Sequence, residues 1–167
     1  MRLTDDLRRI AIHEAAHAVV ADALGLIVCG IETPEEGAPE AAYTVLLAPT
    51  RMAAAEHLLH VAVAHAGFMA EQREDKQARP HPGLIKDQVD ADDHAKAYAA
   101  AFDLLTDEAH LRGMKLARLV LTQRWPVVVA VAEALMAHDG QLDGAQVREL
   151  CASDDPEVGG VESLSWE

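Results

Sequence analysis

The chain has 167 residues, a length that fits one domain able to bury roughly 70% of its unfolded surface without disulfide staples. A formal net charge of -14 argues against nucleic acid as a partner, because phosphate binding needs a basic patch. No run of about 18 uninterrupted apolar residues is present, which excludes a membrane-spanning helix. Half of the residues are hydrophobic, mainly Ala, Val and Leu, and aromatics make up only 4%, a composition that favours closely packed helices over broad sheets. Asp5 and Asp6 stand where a secretion signal would have its apolar stretch, so the expected location is cytoplasmic. Cys29 and Cys151 form no CxxC pattern and read as ordinary thiols.

The first helix is predicted from Thr4, as N-cap, to Leu24, with Gly25 ending it. Leu3, Leu7, Ile10, His13, His17, Val20 and Leu24 follow steps of three and four, the apolar stripe of an amphipathic helix. Within that stripe lies His13-Glu14-Ala15-Ala16-His17, an HExxH motif. Side chains four apart on a helix sit one turn above each other, roughly 5–6 Å between Cβ atoms. Two imidazoles so spaced can meet on one zinc ion at about 2.0–2.1 Å each. Glu14, turned by roughly 100° from His13, falls beside such an ion, where it can act as general base on a zinc-bound water. The alternative is a pair of hydrogen-bonded core histidines; zinc explains the neighbouring glutamate as well.

Two short apolar runs follow, Leu26–Ile31 and Tyr43–Ala48, separated by a Pro/Gly-rich connection from Thr33, and they predict a small β-ribbon. A second helix is expected from about Met52 to Lys76, carrying Leu58, Val61, His65, Phe68 and Met69. The Pro-bracketed stretch Arg79–Gly83 reads as a loop, and a third helix is expected from Asp90 or Ala91 to Leu105. Helices four, five and six are expected at Asp107–Gln123, Pro126–His138 and Asp143–Cys151. The predicted fold class is mainly α with a small β-ribbon after the HExxH helix: one domain over 1–151 and an acidic, loosely ordered tail over 152–167.

A catalytic zinc takes three protein ligands and keeps a place for water. In the expected third helix Asp93, Ala97, Ala100 and Leu104 form the inward stripe, whereas Asp92, Lys96 and Asp103 face solvent, so Asp93 is the preferred third ligand. Glu71 competes: it follows Ala64 and Gly67 at helical spacing and can either bind the metal or hold an imidazole by a hydrogen bond. His57 and His60 are three apart, a spacing able to hold a metal, but read more simply as surface histidines. His65, His81, His94, His110 and His138 carry no ligand spacing.

These stretches resemble the peptidase domain of the FtsH family, membrane-anchored, ATP-dependent zinc proteases. The run from Ala11 to Ala21 is similar to that family's HEAGHAxVA helix, with Ala16 in place of its glycine. The run ending at Glu71 is similar to its LLxxxAVxLGGRxAEE helix, and the run from Asp92 to its NDLxRAT segment, whose aspartate binds zinc. The stretch around Ala132–Gly144 resembles LAxxLLExETLxG, so the likeness extends over about Leu7 to Leu150. It implies a helical zinc metallopeptidase domain with His13, His17 and Asp93 on Zn2+ and Glu14 as base. The 167 residues contain no GxxxxGK[ST] loop for ATP phosphates and no clear counterpart of the family's GMS segment.

The functional expectation is therefore a zinc metalloendopeptidase that cleaves flexible polypeptides or ones delivered by a separate ATPase or adaptor. Its alternatives are a non-proteolytic zinc-binding derivative serving as a peptide- or protein-binding module, and a zinc-dependent amidase for small molecules. The second strand, Tyr43–Ala48, offers an edge for an extended substrate. Oligomeric state is not legible in the sequence.

Overall fold

The computed structural model describes residues 3–33, 43–47, 52–76 and 82–153, and among them it is mainly helical with one small antiparallel sheet. The elements in chain order are α1 (Leu3–Ala23), β1 (Val28–Glu32), β2 (Tyr43–Leu46), α2 (Ala54–Glu74), α3 (Pro82–Phe102), α4 (Thr106–Gln123), α5 (Trp125–Ala137), β3 (Gln141–Asp143) and α6 (Gly144–Ser153). The expected tail, the Thr33 connection and the loop before α3 lie largely outside the described residues. No single described helix is long and apolar enough to cross a membrane.

Helix α1 is the axis of the fold. It packs against α2 on one side and α5 on another, with the sheet across a third. Every residue from Ile10 to Ala21 is buried, so α1 is enclosed all round rather than amphipathic as its stripe suggests. Its small residues make this possible: Ala11, Ala15, Ala16, Ala18 and Ala21 let neighbouring backbones approach closely. The helix ends where the glycine signal places it. Gly25 adopts a φ of 76°, its N–H donates to Asp22 O at 3.0 Å, and Leu26 N–H donates to Ala21 O at 2.9 Å. Those two bonds satisfy carbonyls that the last turn would otherwise leave open.

The chain then turns into β1, which pairs antiparallel with β2 (Val28 opposite Leu46, Glu32 opposite Tyr43) as the ribbon signal predicts. The sheet has a third member that the sequence reading lacks. β3 pairs antiparallel with the other side of β1, Ile31 opposite Leu142, giving the order β2-β1-β3. A three-residue strand with one buried apolar side chain, Leu142, is too short to show an alternating pattern. The order leaves β2 on the sheet edge beside α1.

Helices α2, α4, α5 and α6 fall close to the expected positions, with Pro126 in the first turn of α5. Helix α3 does not. It starts at Pro82, eight residues ahead of the expected Asp90. A proline in a first turn loses no hydrogen bond and has a helical φ already, so Pro82 opens the helix instead of blocking it. The buried stripe is correspondingly different: Ala91, Ala95, Tyr98 and Ala99 face inward, and Ala100 is exposed. Alanine-rich sequence left the phase of that helix poorly marked, because Ala is nearly as content outside as inside.

Candidate metal centre

The early start of α3 decides what meets the HExxH helix. His13, His17 and Asp87 each offer a ligand atom, and all three atoms lie within 4.8 Å of one another. His13 Nε2 and His17 Nε2 are 2.9 Å apart, and Asp87 Oδ2 is 2.9 Å from the first and 3.4 Å from the second. Ligands around a tetrahedral zinc at about 2.0–2.2 Å stand roughly 3.3–3.4 Å apart, so this triangle needs to widen by only a few tenths of an ångström.

The other ring nitrogens fix which atoms face the centre. His17 Nδ1 lies 2.7 Å from Val63 O, which can only accept, so Nδ1 carries the proton and Nε2 presents its lone pair. His13 Nδ1 lies 2.5 Å from Glu71 Oε1, a contact that fixes the orientation of the ring. Glu71 is itself 1% exposed, with Arg9 Nε at 3.4 Å from its second oxygen. Helix α2 supplies both supports because it crosses α1 closely at Gly67: a Cβ there would lie 2.5 Å from His13 Nε2 and 2.6 Å from His17 Nε2. Glycine is what lets the two imidazoles lie against α2.

Glu14 is buried beside the pair and lines the same cavity, of about 270 Å³, as His13, His17 and Asp87. Thr44 of β2 donates its hydroxyl to Glu14 Oε2 at 2.9 Å and stands 3.0 Å from Glu14 O. The sheet edge thus holds the Glu14 carboxylate at the cavity.

Asp93, expected as third ligand, is not brought to the histidines. It is exposed and lines a separate cavity with His65, Asp92, Lys96 and His110. Asp87 and Asp93 differ by six residues, about 9 Å along the axis and about 120° around it, so only one of them can face α1. No local pattern marks Val63 or Thr44 as site residues, and Gly67 shows only helical spacing with Glu71. Asp87 does carry a signal: it precedes Ala91 and Ala95 by steps of four once Pro82 is taken as a helix start.

The imidazoles sit among carboxylates. Burial disfavours a charged His13, but hydrogen bonds to Asp87 and Glu71 and the charge of Glu14 outweigh it, and the pKa rises to about 9. Burial likewise disfavours an ionised Asp87, yet hydrogen bonds and charges of His13 and His17 hold its carboxyl well below the usual range. Ring nitrogens and carboxylate oxygens gathered so closely are a donor set that suits a divalent cation.

Comparison with protein-family models finds none that matches the chain, and comparison with curated proteins finds no similar sequence. The function is argued from the site.

Two outcomes follow. In metal-free protein His13 has a folded pKa above its ordinary 6.5, so its contribution to stability is complete below pH 6.5 and lost as pH rises through about 9. Denaturant titrations of chelated protein should show stability falling from pH 6.5 to 9, and a flat profile would contradict the His13–Asp87–Glu71 network. Gly67→Ala should weaken zinc affinity about 10–100-fold in a chelator competition assay, the scale of a lost supporting contact. Unchanged affinity would show that the space above Gly67 is not where the ion binds.

Proposed function

We propose that this chain is a zinc-dependent metallopeptidase of the FtsH peptidase type, with His13, His17 and Asp87 holding Zn2+ and Glu14 as general base. The observation that carries this reading is the convergence of both HExxH imidazoles, each with its Nε2 directed inward, on a carboxylate from α3. Held by two neutral imidazoles and one carboxylate, a zinc ion would keep a positive charge and would supply Lewis acidity at the cavity, enough to activate water near neutral pH.

The chain's own residues do the rest. Glu14 accepts the proton of the attacking water and passes it to the departing amine, with Thr44 keeping the carboxylate beside the cavity. Glu71 and the Val63 carbonyl hold the two rings in one tautomer, so neither must reorient as the site loads.

A peptide suits the surroundings. β2 is an edge strand, Tyr43, Thr44 and Leu46 line the cavity, and Tyr43, Val45 and Leu47 are exposed along it. An extended polypeptide adding to that edge by main-chain hydrogen bonds would run past Glu14. The strongly acidic chain favours neutral or basic segments as substrates.

Glu14→Gln keeps the shape of the site and removes the base. Cleavage of a fluorogenic peptide library should fall by about 10²–10⁴-fold while zinc content stays at the wild-type level. Cleavage undiminished in Glu14→Gln would overturn the role of Glu14. Zinc binding with no hydrolysis by the wild type, with or without an added ATPase, would support the non-proteolytic binding module instead.

A further inference from the structure

Seven of the nine histidines lie along α1, α2, α3 and α4, and they face one another in groups. His65 and His110 form one pair, with ring nitrogens 3.1 Å apart and Asp92 at 3.5 Å from His110, a chain of hydrogen bonds in which each ring has a partner. The group at the α2–α3 contact is different. His57 and His60 stand one helical turn apart on α2, and His94 reaches them from α3. His57 Nδ1 and His94 Nδ1 are 2.9 Å apart, while the His60 ring stacks on His94 with centroids 4.7 Å apart. His60 Nε2 is buried without a hydrogen-bond partner. His60 and His94 line the same cavity as the HExxH pair.

The His57–His94 contact is satisfied by one proton and one lone pair, but a buried ring nitrogen without a partner, as at His60, forfeits its hydration. We propose that His57, His60 and His94 form a second transition-metal site beside the cavity that His60 and His94 share with the HExxH pair. The His57–His94 pair repeats the separation of His13 Nε2 and His17 Nε2, 2.9 Å in both cases. Closing the trio on one ion requires the His60 ring to leave its stack and turn Nε2 toward that pair.

The chemistry of the donors selects the ion. Three imidazoles suit Zn2+, Cu2+, Ni2+ or Co2+ and offer nothing to Mg2+ or Ca2+, which want oxygen. Burial and the neighbouring histidines hold His60 and His94 below the ordinary imidazole pKa, so their lone pairs are available at neutral pH. Glu56 and Asp90 add negative charge nearby, acting on His60 and His94 respectively. With no carboxylate ligand and one ring to reorient, this site is the weaker of the two. It stands independently of the peptidase reading, because it concerns metal uptake alone.

The test is a titration of the chelated, full-length chain with Co2+, read by visible absorption, and with Zn2+, read by competition with a chromogenic chelator. Wild type should take up two equivalents with distinct affinities. His60→Asn sacrifices no hydrogen bond and should weaken the second equivalent at least tenfold while leaving the first unchanged. His57→Asn should do the same, and His13→Asn/His17→Asn should lose the tight equivalent and keep the weak one. Saturation of wild type at one equivalent would overturn the proposal. So would a second equivalent that neither His60→Asn nor His57→Asn weakens.

Discussion

The structure depends on one constraint: a concentration of charge has to sit inside the fold where the most enclosed helix meets its neighbour. His13, Glu14 and His17 occupy a stretch of α1 in which every residue is buried, and Glu71 and Asp87 approach them from α2 and α3. Apolar burial drives helices together but cannot itself tolerate such groups. Each therefore has a stated partner. The rings are fixed by Val63 O and Glu71, Glu14 by Thr44, and Asp87 by the imidazoles themselves.

The rest of the fold can be understood as support for that arrangement. Small residues on α1 and α2 bring the two backbones close enough that only glycine fits at position 67, which puts the imidazoles against bare backbone. β1, anchored between β2 and β3, fixes the edge strand at a height where Thr44 reaches Glu14. α3 packs on α2 and α4, presenting Asp87 in its second turn and His94 further along, so one helix serves two groups of histidines. A rigid scaffold of this kind restricts the rotamers of the site before any ligand arrives.

Much of this was legible in the residues. HExxH announces paired imidazoles because its spacing equals one helical turn, and Gly25 announces the end of α1 because a left-handed residue is needed there. The mainly helical fold and the β1–β2 ribbon follow from composition and from two short apolar runs. Asp93 and the start of α3 show where such reading fails. Read as a barrier, Pro82 leaves Asp87 outside the helix and points to a carboxylate six residues on; as an opening residue it brings Asp87 into α3. Ala-rich α3 had no bulky side chains to mark its inner face and correct the error. Thr44, Val63 and β3 act through tertiary contact, and no local pattern carries them. His94 belongs to the same class, as its partners lie on α2.

The central claim is that His13, His17 and Asp87 share one metal ion. Crystals of the zinc-loaded protein measured at the zinc absorption edge test it most directly. The account predicts an anomalous peak about 2.0–2.2 Å from His13 Nε2, His17 Nε2 and an Asp87 carboxylate oxygen, with a solvent molecule in the fourth place. A peak ligated by Asp93 in place of Asp87, or an HExxH pair bonded to each other with no density between them, would contradict it.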